Sequence, residues 1–433
     1  MKNLLTAIIF FWIAVSFSQE ISIIDTLDQG YKSNLIQLYS KRVAEQTKIF
    51  EKDITNKKIR KEVETVYREL CLDFIGNINK GFFAEDEVYK VYFEELVSQI
   101  KNSNPQYPDI ANTKILLSFG TSPNAYAIGN DIIVVLAPLI SSLGNEYELA
   151  FVICHEIAHN LLQHSYQGMT EYATILHSSD IRKQTRQIEK QKYNKGQVAS
   201  GLYRDILYGK RKNNRELEHQ ADSLGFVLFR NTFKGREFEA LRSLETLDKI
   251  DKEVDSLAIE DYSELFSSDS QPFKKEWIES SELASYKYDK AVRFWDVDSL
   301  KTHPDCKHRS GLMQKHFTVK PAAPDRPSNK FMLLKRSSAY NHILGLFIIE
   351  EYGKSLYEAL LLLKDDRENI FLKNMVYKNL LKIRDAQKKY TLNKYLETEN
   401  PEFSKSYNTF LFFIRQLRKS EMSEIINQYS IKK

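Results

Sequence analysis

The chain has 433 residues, 42% apolar and 28% charged, an ordinary globular composition that excludes wholesale disorder and leaves room for two or three domains. Its 62 basic and 58 acidic residues nearly cancel, to a formal charge of +4, so no global field favours nucleic acid or an anionic membrane as the partner. Three cysteines, Cys71, Cys154 and Cys306, are too few, and odd in number, to read as a disulfide framework.

Met1-Lys2-Asn3, the apolar run from Leu4 to Phe17, and Ser18-Gln19-Glu20 have the basic, apolar and small-residue zones of a secretory signal. Cleavage after Ser18 is expected, so residues 1–18 are read as a signal peptide and the protein as secreted or periplasmic. The run is shorter than the roughly 20 residues a spanning helix needs, which leaves an uncleaved anchor as the alternative. No later stretch is long and apolar enough to cross a bilayer. Residues 19–112 place apolar side chains three and four apart, as in Ile36 and Tyr39 or Val63, Val66, Tyr67 and Leu70, and are read as a helical N-terminal region.

From Lys114 the pattern is that of strands. Ile115-Leu116-Leu117-Ser118-Phe119 is one, a second runs through Ala127 after the turn-forming Ser122-Pro123-Asn124, and Ile132-Ile133-Val134-Val135-Leu136 follows Gly129-Asn130-Asp131. A small β-sheet is therefore expected ahead of the next helix. That helix begins at an N-cap Asn145 with Glu148 at N3, a capping-box variant, and continues through Leu149-Ala150-Phe151-Val152-Ile153-Cys154 with no polar face, so it should be buried. Cys154 is read as a small core residue.

The helix then carries His155-Glu156-Ile157-Ala158-His159, an H-E-x-x-H string that chance would supply in about one chain in a hundred of this length. Two imidazoles four apart lie on one helical face and can share a metal at the roughly 2.0 to 2.1 Å of Zn–N bonds. Glu156 is turned about 100° around the axis, where it can reach a water on the metal without ligating, which makes it the candidate general base. Burying these groups without partners would cost several kcal/mol, and a metal satisfies them. His164, five residues beyond His159, falls off the metal face and is read as a helix-end residue or one supporting a ligand.

A polar insertion follows, with a solvated helix expected from Ile181 to Lys192. The basic string Lys210 to Arg215 lacks interleaved aromatics and is read as an exposed face rather than a nucleic-acid patch. Glu218-His219-Gln220-Ala221-Asp222 offers a third ligand in Glu218. Asp222, one turn on, can accept the N–H of a ligating histidine, and Ala221 leaves room for close approach of the helices. His219 points away from Glu218 and is read as a bystander or packing residue. Residues 251–290, acidic and Ser-rich, are expected to be irregular, and Pro321, Pro324 and Pro327 to form a stiff linker. Beyond Lys330 helices return. Leu344 to Ile349, a turn at Tyr352-Gly353, and Leu356 to Leu363 resemble one tetratricopeptide hairpin, with a plain helical bundle as the equal alternative.

Four ordered blocks now carry a resemblance: Asn124-Ala125-Tyr126-Ala127 with the strand to Leu136, His155 to His159 with His164, Arg215 to Asp222, and Thr302-His303-Pro304 with Arg309. Over roughly residues 114–312 the chain resembles the HtpX and CAAX prenyl protease family of zinc metalloendopeptidases, which includes periplasmic BepA-type and mitochondrial Oma-type members. The resemblance implies a mostly helical α+β fold. Its zincin-type metalloprotease core with a small sheet would occupy residues 113–318, between the helical region 19–112 and a helical C-terminal domain 319–433. It implies Zn²⁺ held by His155, His159 and Glu218, with Glu156 moving the proton, and an edge strand at Asn124, Ala125 and Tyr126 that docks an extended substrate. His303 is implied to approach the metal as a transition-state donor or a removable fourth ligand, and Arg309 to pair with a nearby acid or form a structural salt bridge. The chain departs from the family at Gly129-Asn130, where a glycine pair is usual, and at Asp305-Cys306. It also lacks the membrane helices of the prenyl protease branch, which favours the soluble branch and puts a prenyl substrate in doubt.

The expected function is a secreted zinc-dependent endopeptidase acting on protein or peptide substrates, chiefly unfolded or misassembled extracytoplasmic proteins. The rival is a chaperone-like scaffold with a latent zinc site and a protein partner on the C-terminal helices. No nucleic acid is expected, and peripheral membrane association is left open.

Overall fold

A computed structural model describes residues 28–120, 122–190, 215–249, 256–278, 306–315, 317, 323–401 and 403–430. The chain opens with a helical hairpin, α1 (Gln29–Asp53) and α2 (Lys57–Asn79). Each helix starts where a side chain satisfies orphan amides: Asp28 accepts from Tyr31 N–H, and Asn56 from the N–H groups of Lys58 and Ile59. Gly81, at φ 80°, then turns the chain into β1 (Phe83–Ala84), a two-residue strand that the helical reading of this region did not anticipate. α3 (Glu87–Ser103) follows, capped by Asp86.

β2 (Lys114–Ser118), β3 (Ala125–Gly129) and β4 (Ile132–Leu136) complete a sheet of order β1-β2-β4-β3. β2 and β4 are parallel, the other two pairs antiparallel, and β3 is an edge. Asn130 and Asp131 both take positive φ, 53° and 56°, closing the tight β3–β4 hairpin. Every residue of β4 is buried, because the sheet is covered on both faces. Leu117, Ile133 and Val135 face one core with Phe93, Phe151 and Phe229. Leu116, Ile132, Val134 and Leu136 face a second core with Tyr39, Phe50, Tyr67 and Phe74 of the N-terminal hairpin. Those alternating faces explain why β4 reads as a continuous apolar run.

After β4 come α4 (Ala137–Ser142), α5 (Glu146–Leu161), α6 (His164–Leu176) and α7 (Ser179–Lys190), the last exposed over residues 182–187 as a solvated helix should be. α8 spans 215–232, followed by α9 (Glu237–Lys249), α10 (Ile259–Phe266) and α11 (Cys306–Gln314). α12 (Asn329–Ile348), α13 (Tyr352–Leu363), α14 (Ile370–Lys388), α15 (Lys405–Gln416) and α16 (Lys419–Tyr429) complete the chain. The molecule is thus a mostly helical α+β protein built on a small four-stranded mixed sheet. No helix among the described residues is long and apolar enough to cross a membrane.

Two expectations need correction. The acidic segment 251–290 is not wholly irregular: α10 and a 3₁₀ turn at Lys275–Trp277 bury Tyr262, Phe266 and Trp277. Nor is Tyr352-Gly353 the turn between α12 and α13, which lies at residues 349–351 with Glu350 at φ 67°. Gly353 is inside α13, where a Cβ would come within 2.7 Å of Leu396 Cδ1, so the glycine serves close packing.

Candidate metal centre

α5 is fixed before it reaches the chemistry. The Asn145 side chain accepts from the N–H groups of Tyr147 and Glu148, while the Glu148 carboxylate reaches back to Gly144 N–H at 3.1 Å, one residue earlier than a standard capping box. Leu149 to Cys154 are buried, and the helix packs against β3, β4 and α9. His155 and His159 therefore meet α8 on one face, one turn apart.

Their Nε2 atoms lie 3.0 Å from each other. Glu218 of α8 puts Oε2 3.4 Å from His155 Nε2 and Oε1 3.4 Å from His159 Nε2. Bonds of about 2.0 to 2.1 Å to a tetrahedral ion require ligand atoms about 3.3 Å apart, and the contacts among the three donors are near that spacing, with Glu218 turning a different oxygen to each histidine. Among the described residues they form the one group of histidine, cysteine and acidic side chains that converges in this way. Close approach of the helices makes this possible. Ala221 is fully buried, and at Gly225 an added Cβ would stand 2.9 Å from His155 Cα and 3.0 Å from His155 N.

Behind the donors, His155 Nδ1 lies 3.0 Å from Asp222 Oδ1. That contact places the proton on Nδ1 and leaves the Nε2 lone pair for an ion. Arg309, reaching in from α11, donates Nε–H to Asp222 Oδ2 at 2.7 Å and Nη2–H to Oδ1 at 2.6 Å, and its Nη1 stands 2.9 Å from Glu218 Oε2. One guanidinium thus joins both carboxylates of α8. Burial favours a neutral Asp222, but the charge and hydrogen bonds of Arg309, with His155, hold its carboxyl down at about 2. Burial likewise opposes a charged His155, yet the bonds to Asp222 and Glu218 raise its pKa to about 9. The carboxylates of Glu218 and Asp222 thus face one guanidinium and a His155 held readily in its cationic form. A cation seated at Nε2 would displace that proton and take over its charge, so the donor set fits a metal in charge.

His159 is supported differently. Its Nδ1 lies 2.9 Å from Nδ1 of His164, the first residue of α6, and His164 Nε2 lies 3.4 Å from Gln220 Oε1. Burial and the neighbouring His159 push the His164 pKa down to about 4. Its expected supporting place is therefore where the structure puts it, whereas Gln220 gave no sequence signal, being two residues from Glu218 and far round the helix. Glu156 points to the sheet, and its Oε2 accepts the Ala127 N–H of edge strand β3 at 2.7 Å.

The Asn124 carbonyl accepts from Leu136 N–H, and Tyr126 pairs with Val134. Alternation along β3 therefore directs the backbone groups of Ala125 and Ala127 away from β4. His303 lies outside the described residues, and His219 is exposed on α8. The three cysteines are free and buried, and burial pushes the Cys154 thiol up, consistent with a core residue. His177 sits 3.4 Å from Glu62, and His342 Nδ1 lies 3.2 Å from the Gly120 carbonyl oxygen.

No curated protein matches the sequence. A family model does: peptidase family M48, over residues 90–314. That span begins in α3, ends with α11 and contains strands β2, β3 and β4, both metal-site helices and Arg309. The match covers more than half of the chain, which therefore belongs to peptidase family M48, the metallopeptidases of the HtpX, CAAX protease and BepA type.

Proposed function

We propose that this M48 peptidase is a zinc-dependent endopeptidase that cleaves extended segments of unfolded or misassembled proteins outside the cytoplasm. The observation that carries the reading is the contact between Glu156 and Ala127, which couples the proton-handling carboxylate beside the metal donors to the edge of the sheet. A substrate strand laid along β3 would pass Glu156 with its backbone carbonyls facing the metal donors. The extracytoplasmic location rests on the apolar N-terminal segment and its flanks.

Two imidazoles and one carboxylate are a donor set that suits zinc, and the ion when bound supplies Lewis acidity toward a water and a peptide carbonyl. His155, His159 and Glu218 would hold it from two helices, with Asp222 and Arg309 fixing the His155 proton on Nδ1. Glu156 takes the proton of the attacking water and returns it to the leaving amine, the role of a general base that becomes a general acid. The Ala127 N–H keeps this carboxylate in place between the two transfers.

The test is Glu156→Gln in the full chain with casein as a disordered substrate. The amide oxygen can still accept from Ala127, so zinc content and melting temperature should hold while cleavage falls by about 10² to 10⁴-fold. One zinc per chain, with cleavage lost to a chelator and restored by zinc, is the matching expectation for the ion. Undiminished cleavage by the variant would overturn the proposal.

A further inference from the structure

The two histidine ligands are backed by opposite kinds of partner. His155 Nδ1 meets the carboxylate of Asp222 at 3.0 Å, which can only accept. His159 Nδ1 meets another imidazole, His164 Nδ1, at 2.9 Å, and an imidazole nitrogen can donate or accept depending on its tautomer. Something beyond His164 must settle the direction of that bond, or His159 could as easily carry its proton on the nitrogen that faces the metal position.

The direction is settled from α8. Glu216, an acceptor when ionised, takes an N–H from Gln220 Nε2 at 3.2 Å. This turns Gln220 Oε1 toward His164 Nε2, 3.4 Å away, so that this nitrogen must be the donor. In a neutral His164 the Nδ1 is then a lone pair, and the bond at 2.9 Å requires His159 to carry its proton on Nδ1. The His159 Nε2 lone pair is left facing His155 Nε2 at 3.0 Å and Glu218 Oε1 at 3.4 Å, where the ion belongs. In the reverse direction His159 would carry its proton on Nε2, blocking that position. His164 would also turn a lone pair toward the Gln220 oxygen, so four side chains agree on a single polarity.

We propose that His164, oriented by Gln220, is a positioning residue that fixes the tautomer and ring orientation of His159 and thereby tunes the affinity and geometry of the metal site. This rests on the metal reading of His155, His159 and Glu218. It adds that α6, which contributes no ligand, helps set how the site binds. His164 is buried and stands edge-on to His159, with ring centroids 4.9 Å apart at 80°, so an aromatic ring without a nitrogen can keep the packing while removing the acceptor.

The experiment uses the full chain, stripped by a chelator and titrated with zinc against a chromophoric competitor, with the visible spectrum of the cobalt-substituted protein as a second readout. Loss of an outer partner of a ligating histidine costs about 10 to 100-fold in metal affinity, and that is the expected loss for His164→Phe, with a shifted cobalt spectrum. His164→Gln presents an amide oxygen as acceptor and should return to within about threefold of the wild type with its spectrum restored. Gln220→Leu, at a half-exposed position, should weaken zinc by about threefold to tenfold without unfolding the protein, and carries the test if His164→Phe does not fold. Unchanged affinity and spectrum in Gln220→Leu, or an equal loss in His164→Phe and His164→Gln, would refute the positioning role. A wild-type chain that takes up no stoichiometric zinc would instead sink the metal reading itself.

Discussion

Arg309 decides whether two carboxylates on one helix can be buried together. Its guanidinium bonds both oxygens of Asp222 and stands against Glu218, and all three side chains are nearly excluded from solvent. Removing one partner from such a set leaves uncompensated charge, which costs about 3 to 5 kcal/mol, so Arg309→Met should lower stability by that order at neutral pH. The loss should depend on pH with a definite sign. Asp222 has its folded-state pKa depressed from 3.8 to about 2, so its contribution is complete above pH 3.8 and disappears as pH falls toward 2. The gap between wild type and variant in urea melts should therefore be widest above pH 4 and narrow by about 2 kcal/mol toward pH 2. A gap independent of pH would show that Arg309 acts through packing alone. The convergence of the candidate donors is legible in the sequence because His155 and His159, and then Glu218 and Asp222, repeat at the four-residue spacing of a helical face. Arg309 was readable only as needing some acid nearby, and Gln220 and the Ala127 N–H not at all, since their roles depend on how three separate elements are brought together.

The approach of α8 to α5 rests on Gly225, which stands against the backbone of His155. Alanine there would favour the helix by about 1 kcal/mol in propensity. Its Cβ, however, would meet backbone atoms at 2.9 and 3.0 Å that cannot rotate aside, and overpacking of this kind costs about 1 to 3 kcal/mol. The collision should win by pushing α8 outward, and Glu218, two turns earlier on the same helix, should move with it. Gly225→Ala is thus expected to melt a few degrees lower and, more tellingly, to bind zinc at least about tenfold more weakly. A variant that melts higher and keeps its zinc affinity would mean that the two helices have slack. In the sequence Ala221 marks the close approach, whereas Gly225, a glycine inside an apolar helical run, announces no partner. The strands were found for the opposite reason: β4 is five consecutive β-branched or leucine residues, a signal that depends on no neighbour. α10 was hidden because the acidic and serine-rich segment around it masks the few side chains, Tyr262 and Phe266 among them, that it buries.

At the scale of the whole molecule, the peptidase region and the C-terminal helices are interleaved. The chain leaves the first core after α9, lays α10 and Trp277 into the C-terminal core, and returns with α11 to bring Arg309 to the metal site. α12 then belongs to both, with Phe331 and Leu334 in the peptidase core and Tyr340 and Ile343 in the other, while Ser338 between them meets Tyr89 of α3 at 2.9 Å. Two cores joined by a continuous helix and by a segment that crosses twice should unfold together. Phe413 tests this from the other core, since it packs on Tyr262, Phe266 and Trp277 within the C-terminal cluster. Phe413→Ala should cost about 3 to 5 kcal/mol and lower the melting temperature by about 4 °C in a chain of this size. If the cores are coupled, far-UV circular dichroism and zinc release to a fluorescent chelator will follow one transition in the wild type and shift down together in the variant. Early partial loss of helix with zinc release unmoved would mean that the C-terminal helices melt by themselves, and that the metal site draws no stability from them.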